Sequence, residues 1–473
     1  MLRCVNMGYD TDSTAAVAGG LAELYYGYDA IPQEWVSLLA GKEIIEDCVQ
    51  GLERYCMEQH LMPEVPPPCL DVIRRADRWS PWNTTLDQKA TVKDKDKFLG
   101  CLIGGAAGDA LGYAVEFLTE DEIVSRYGKA GITGYSLRDG LARISDDTQM
   151  TLFTANGLLA GQTRGCLRGI MAPYPDYVAQ AYQEWYRTQV CDFPAAEDFP
   201  TCWLLNVPRL YARRAPGTTC MGAIAAGAGG SIERPINDSK GCGGVMRVAP
   251  VGLYLGSSRM AGLAADLVAA DVAALTHGHE LGYIPAAMLS HMVRLLSHSA
   301  EISPEAAVQD SMDAVRRLFP RAVHLPAFLE KIQLALHLAK TSKTDLDAIH
   351  ALGEGWCGDE ALAIAVYCAV KYQDDFDKAL LAAVNHGGDS DSTGAITGNL
   401  LGTYLGLSHI PEKYLDHLEL LDVIAEIAED LYDDCQINEY TCSEDPRDVA
   451  WEEKYVKITY GGKAPNGGAG SSV

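Results

Sequence analysis

The stretch Asn385-His386-Gly387-Gly388-Asp389-Ser390-Asp391-Ser392-Thr393-Gly394-Ala395-Ile396-Thr397-Gly398-Asn399-Leu400-Leu401-Gly402-Thr403-Tyr404-Leu405-Gly406 holds two patterns in succession. In the first, Asp389 and Asp391 are framed by Gly387 and Gly388 and followed by Ser392 and Thr393. This offers hard oxygen ligands on a backbone free to bend toward one point, which is divalent-metal chemistry. In the second, Gly394, Gly398, Gly402 and Gly406 recur at every fourth position, so a helix here presents a bare face that another backbone can approach. Glycine costs roughly 1 kcal/mol per helix position relative to alanine, so four in register imply a packing gain. A matching stripe, Gly100, Gly104, Gly108 and Gly112, begins just after Phe98. The two striped helices are predicted to lie deep in one domain, against each other.

The rest of the chain reads as predominantly helical. Long apolar periodicities cover 258–298, 304–318, 326–340 and 358–371, and strand-like alternation is scarce, which predicts an all-α domain. Residues 163–236, rich in Pro, Gly, Tyr and Trp, read as excursions across a surface. Residues 59–95, with Pro66-Pro67-Pro68 and the run Lys93-Asp94-Lys95-Asp96-Lys97, have linker composition, and the main domain is expected over 96–436. Residues 437–473, acidic and then Gly/Ser-rich, are expected to form a poorly ordered tail.

The beginning of the chain repeats its end. At one constant offset Val5, Asn6, Gly8, Asp10, Asp12, Ser13, Thr14, Gly19, Tyr25, Ile31 and Pro32 recur as Val384, Asn385, Gly387, Asp389, Asp391, Ser392, Thr393, Gly398, Tyr404, Ile410 and Pro411. Met7 replaces His386, Tyr9 replaces Gly388, and the charged Glu23 stands where Gly402 keeps its helix face bare. Residues 1–58 are therefore read as a small helical segment, the truncated partial repeat of the main domain's C-terminal end. The alternative is an exchange in which this copy occupies the site.

Composition narrows the partners. The chain has 473 residues, 48% of them hydrophobic, enough for one large core plus extra material. Its 38 basic against 64 acidic residues give a formal charge of -26, which disfavours nucleic acid. Fourteen scattered cysteines without a C-x-x-C pair read as reduced thiols. With no signal-like start and no apolar run of membrane-spanning length, a cytoplasmic protein is expected.

Other motifs gain meaning beside Asp389 and Asp391. Ser145-Asp146-Asp147 opens a helix and could be a solvated acidic cap, but two such clusters in one domain suggest a two-part carboxylate cage. Such a cage, with hydroxyls, suits Mg²⁺ or Mn²⁺ rather than zinc. A calcium EF-hand loop from Asp389 fails at position twelve, where Leu400 replaces the bidentate glutamate. Ser239-Lys240-Gly241-Cys242-Gly243-Gly244 could cradle a phosphate or be a plain tight turn. The imidazoles of Thr276-His277-Gly278-His279 would diverge on a helix, which argues against joint ligation. Trp356 offers an aromatic plane for a base, or a core side chain.

In order, Gly104-x-x-x-Gly108-Asp109-Ala110-x-Gly112-x-x-x-Glu116, Ser145-Asp146-Asp147-Thr148, Gly243-Gly244-Val245-Met246-Arg247-Val248-Ala249-Pro250, Thr276-His277 and Gly387-Gly388-Asp389-Ser390-Asp391-Ser392 resemble the ADP-ribosylglycohydrolase family. The resemblance implies a compact multi-helix domain around a dinuclear magnesium or manganese site at the base of an ADP-ribose cleft. It implies metal ligation by Ser145, Asp146, Asp147, Asp389, Asp391 and Ser392. Acid/base chemistry would fall to Glu116 or Asp147. Substrate contacts would come from Ser239, Gly241, Cys242, Gly243, Gly244 and His277, with Trp356 added from its aromatic plane. Cys242 departs from the asparagine that members often carry there. The implied activity is hydrolysis of the N- or O-glycosidic bond of an ADP-ribosylated protein or small ADP-ribose conjugate, in a monomer or oligomer. The alternative from another class is a non-catalytic ADP-ribose-binding or regulatory protein of the same fold.

Overall fold

The computed structural model describes residues 93–197, 199–256, 262–299, 302–440 and 444–462. The N-terminal partial repeat therefore lies outside the described residues, as does all but the end of the linker. In chain order the helices are α1 (Lys95–Gly112), α2 (Glu120–Tyr127), α3 (Asp146–Arg168), α4 (Tyr174–Val190), α5 (Thr218–Ala225) and α6 (Ala249–Leu255). They continue with α7 (Gly262–Ala274), α8 (Glu280–His298), α9 (Pro304–Leu318), α10 (Leu325–Leu338) and α11 (Asp345–Leu352). The last are α12 (Gly358–Lys371), α13 (Phe376–Val384), α14 (Ser390–Leu405), α15 (Leu421–Asp433) and α16 (Pro446–Tyr455). Among the described residues, extended pairing is limited to isolated bridges, so the fold is all-α as expected.

The two glycine-striped helices meet as predicted. A Cβ on Gly104 would lie 2.6 Å from the Gly398 carbonyl oxygen, and one on Gly398 would lie 1.9 Å from that of Gly104. Gly100 faces Gly402, Gly108 faces Gly394, and Gly112 faces the Ser390 carbonyl, so α1 and α14 run antiparallel with their backbones in contact. Gly406 departs from the stripe: it ends α14 at φ 83° and packs on Asp96, a backbone conformation that glycine adopts without penalty. Both helices are buried on nearly all sides. Their polar residues are satisfied locally, because the hydroxyls of Thr393, Thr397 and Thr403 donate to the carbonyls of Asp389, Thr393 and Asn399.

Three expectations are corrected. The single helix over 258–298 is two, α7 and α8, interrupted at residues 275–279. A Cβ on Gly278 would lie 2.2 Å from the Asn237 carbonyl oxygen, and the His279 ring accepts from the Leu281 N–H at 3.0 Å to cap α8. Residues 163–236 are not only surface excursions. Helix α4 buries Tyr182 and Trp185 completely, and the Trp185 indole donates to Gln149 of α3 at 3.1 Å. The expected disordered tail contains α16, whose Trp451, Lys454 and Tyr455 are buried. Lys454 reaches both Asp430 oxygens at 2.9 Å and Glu426 at 2.8 Å on α15.

The described cysteines are free thiols, many of them buried. No helix among the described residues is long and apolar enough to cross a membrane.

Candidate functional site

Two helix N-termini and one turn supply the acids. Ser145 precedes α3 and accepts the Asp147 N–H at 3.2 Å, and Asp389 precedes α14 and accepts the Ser392 N–H at 3.4 Å. The positive ends of both helices thus carry carboxylates, which favours their ionised form. Glu116 lies in the turn that follows α1. Glu116, Asp389 and Asp391 each present an oxygen within 4.8 Å of the other two, and all three are buried. Asp146 and Asp147 are buried to a similar degree.

This concentration of acid has an electrostatic cost. Burial, followed by the charges of Asp391, Asp389, Asp146 and Asp109, pushes the Glu116 carboxyl up to about 11. Burial and then Asp391 raise Asp146, Asp147 and Asp389 well above the ordinary carboxylate range. Among the described residues, no lysine or arginine forms an ion pair with any of these acids, and Glu116 Oε2 and Asp147 Oδ2 are buried without a hydrogen-bond partner. Buried carboxylates without compensation are expensive, and a divalent cation relieves both the mutual repulsion and the unmet oxygens. The all-oxygen donor set fits Mg²⁺ or Mn²⁺.

Asp109 on α1 is a functional residue to which its motif alone assigns no role. Its carboxylate accepts the Ser145 N–H at 3.0 Å and the Thr148 N–H at 3.1 Å, along with the Thr148 hydroxyl, so it ties the start of α3 to α1. Burial and then Asp391 push it up to about 7. An aspartate beside Gly108 on a stripe committed to close packing was the available signal.

The glycine-rich loop is placed between the acids and His277. Bonds from Cys242 N–H to the Trp356 carbonyl (3.1 Å) and from Gly358 N–H to the Lys240 carbonyl (2.9 Å) pin it to the start of α12. Cys242 faces the acids: its thiol donates to Asp389 Oδ2 at 2.6 Å, and burial followed by Asp389 raises it well above the usual thiol range. On the other side, Cβ atoms on Gly241 and Gly243 would lie 3.3 and 3.2 Å from His277 Nε2. Gly244 is turned toward packing, since its Cβ would meet the Gly282 carbonyl oxygen at 2.6 Å. The Ser239 hydroxyl lies 3.3 Å from that of Thr219.

Trp356 is 41% exposed, which sets aside the core reading. It stands nearly parallel to Phe117, with ring centroids 6.5 Å apart and planes inclined at 23°. Phe117, the neighbour of Glu116 and 69% exposed, is a second aromatic that the sequence did not single out. Ser392 is buried beside Met246, its hydroxyl 4.0 Å from the sulfur.

Comparison with known proteins finds relatives over most of the chain. The family model described as ADP-ribosylglycohydrolase matches residues 1–61 and 90–440. An ADP-ribosyl-[dinitrogen reductase] glycohydrolase of Rhodospirillum rubrum is 27% identical over 336 residues, covering 69% of this chain and 91% of the relative. ADP-ribosylhydrolase ARH3 of Bos taurus is 28% identical over 216 residues, 40% of this chain and 57% of the relative. A solved structure titled "ADP-ribosylglycohydrolase-related protein complex" has a TM-score of 0.48 and 24% identity, covering 72% of this chain and 98% of that one.

Proposed function

Because this chain belongs to the ADP-ribosylglycohydrolase family, we propose that it is a Mg²⁺- or Mn²⁺-dependent hydrolase of the N- or O-glycosidic bond in ADP-ribose conjugates. The acceptor is a modified protein side chain or a small molecule. The observation that carries this reading is the convergence of Glu116, Asp389 and Asp391, with unmet buried oxygens on Glu116 and Asp147. Asp146, Asp147, Asp389 and Asp391, with the hydroxyls of Ser145 and Ser392, would hold two cations. When bound, such cations would stabilise negative charge on ribose oxygens and lower the pKa of a bound water.

The chain's own groups do the rest. Glu116 is buried among acids and not committed to any cation of the protein, so it can hold a proton at Oε2 for the departing acceptor atom and take one back from the attacking water. Asp147 Oδ2, also unpartnered, is the second candidate for proton transfer. The loop at 239–244 and His277 would receive the diphosphate and ribose, with Trp356 offering a face to a planar group.

Asp389→Ala and Asp146→Ala are expected to lower hydrolysis at least about a hundredfold, by analogy with losses at metal ligands and their partners, while folding is retained. The assay is release of ADP-ribose from arginine-, serine- and small-molecule-linked substrates with Mg²⁺ or Mn²⁺. Undiminished turnover in either variant would remove the cage from the mechanism. ADP-ribose binding without turnover of any substrate would replace the enzyme by a binding protein.

A further inference from the structure

Arg247 is fully buried, and among the described residues it has no carboxylate partner. Its guanidinium lies over the Tyr182 ring, 4.4 Å from the centroid, and Nη1 points at the sulfurs of Cys220 (3.3 Å) and Met150 (3.5 Å). The short bond is from Nη2 to the Thr276 hydroxyl oxygen, at 2.6 Å. A buried cation spent on a neutral hydroxyl is costly unless the arrangement serves something else.

The hydroxyl beyond it shows what is served. A guanidinium only donates, so the Thr276 oxygen accepts from Arg247 and its own proton must go elsewhere. Two acceptors are within reach: His277 Nδ1 at 2.8 Å and the Ala273 carbonyl at 3.5 Å. The shorter and stronger choice is the imidazole. A proton on Nδ1 would instead crowd a second donor onto an oxygen already occupied by a cation. Nδ1 is then the acceptor, and the ring proton lies on Nε2, the nitrogen that faces the glycine loop near Gly241 and Gly243. Nε2 has no hydrogen-bond partner within the described chain.

We infer that Arg247 and Thr276 form a positioning relay that fixes His277 as a neutral Nε2–H donor aimed into the glycine loop, where it takes a phosphate or hydroxyl oxygen of the ligand. The relay explains why the cation is neutral-partnered: a carboxylate there would free the hydroxyl to turn and would favour a charged ring. Burial and then Arg247 hold the His277 ring down to about 3, which keeps it uncharged at neutral pH. The identity of the ligand oxygen rests on the proposed hydrolase reading, whereas the tautomer does not.

Long-range ¹H–¹⁵N NMR of histidine-labelled full-length protein, with His277 assigned by its loss in His277→Gln, reads the tautomer without metal or turnover. The wild type and Thr276→Ser should show Nε2–H, and Thr276→Val should shift the ring toward Nδ1–H. Arg247→Met should weaken the preference if it folds, and the threonine pair decides the matter if it does not. Calorimetry with ADP-ribose should show about three- to tenfold weaker binding for Thr276→Val, the size of one neutral hydrogen bond, and recovery in Thr276→Ser. An Nδ1–H ring in the wild type, or one unchanged in Thr276→Val, overturns the relay even if hydrolysis is intact. Absence of ADP-ribose binding to a wild type with the Nε2–H ring overturns the ligand assignment and leaves the relay standing.

Discussion

Glu116 and Asp109 differ in how they manage burial. Asp109 spends its oxygens on the start of α3, whereas Glu116 Oε2 has no partner. Without a cation both favour the protonated form, at about 7 for Asp109 and about 11 for Glu116. A carboxyl whose folded value is raised adds stability that is complete below its ordinary value and is lost as pH climbs through the raised one. The buried His277, His298 and His386, held down to about 3, 4 and 4, act with the opposite sign, but only below their unfolded value near 6.5. Between pH 6.5 and 8.5 the carboxyls therefore dominate. Cation-free protein should lose stability across that window, by up to about 1.4 kcal/mol per pH unit for each carboxyl that still holds its proton. Added Mg²⁺ or Mn²⁺ should stabilise more at pH 8.5 than at 6.5, because fewer protons must be displaced. Thermal unfolding in chelator and in Mg²⁺ checks both statements. A chelated protein whose melting temperature is flat or rises over the window contradicts them.

At the scale of elements, the α1–α14 pair holds the site. Asp389 and Asp391 stand at the start of α14 and Asp109 and Glu116 at or beyond the end of α1, so a shift between the two backbones separates the carboxylates. Gly398→Ala would place a Cβ 1.9 Å from the Gly104 carbonyl oxygen, backbone against backbone, with no flexible side chain to yield. Its cost should reach or exceed the usual overpacking range of about 1–3 kcal/mol, with activity falling in step. Gly222→Ala on α5 meets no atom within 4 Å and should be neutral or stabilising by up to about 1 kcal/mol through helix propensity. Urea denaturation of the two variants makes the comparison, and equal effects would deny the stripe its packing role. This pair of helices was legible because a period of four glycines has few explanations. The break between α7 and α8 was not, since its placement comes from the contact of Gly278 with the Asn237 carbonyl and from the cap that the His279 ring gives α8. Arg247 was hidden for a similar reason: a lone arginine in an apolar run gives no sign of its partners, which come from α3, α4, α5, α7 and Thr276 beyond the end of α7.

For the whole molecule, the ends of the chain pose the remaining questions. The C-terminal stretch looked like a tail because its composition is polar, yet Lys454 carries α16 into the domain between Asp430 and Glu426, where Tyr455 and Tyr460 donate to the same two carboxylates. Lys454→Ala would leave two buried acids without their cation and should cost about 3–5 kcal/mol, measurable by the same denaturation. The N-terminal stretch poses the opposite case, a metal motif with no second half beside it in sequence. Residues 93–440 already supply Ser145, Asp146 and Asp147 at the start of α3, Asp389, Asp391 and Ser392 at the start of α14, and Glu116 in the turn after α1. The loop at 239–244 and His277 belong to the same part of the chain. If the partial repeat is a spare copy, deleting residues 1–60 should leave the metal-induced rise in melting temperature and the hydrolysis rate within about twofold, a change of only about 0.4 kcal/mol. If instead Asp10 and Asp12 occupy the site by exchange, the deletion should alter both, and Asp10→Ala alone should mimic the loss expected for Asp389→Ala. The pair of Asp10→Ala and Asp389→Ala in the full chain therefore assigns the ligands to one copy or the other, because only the copy that faces Glu116 can respond.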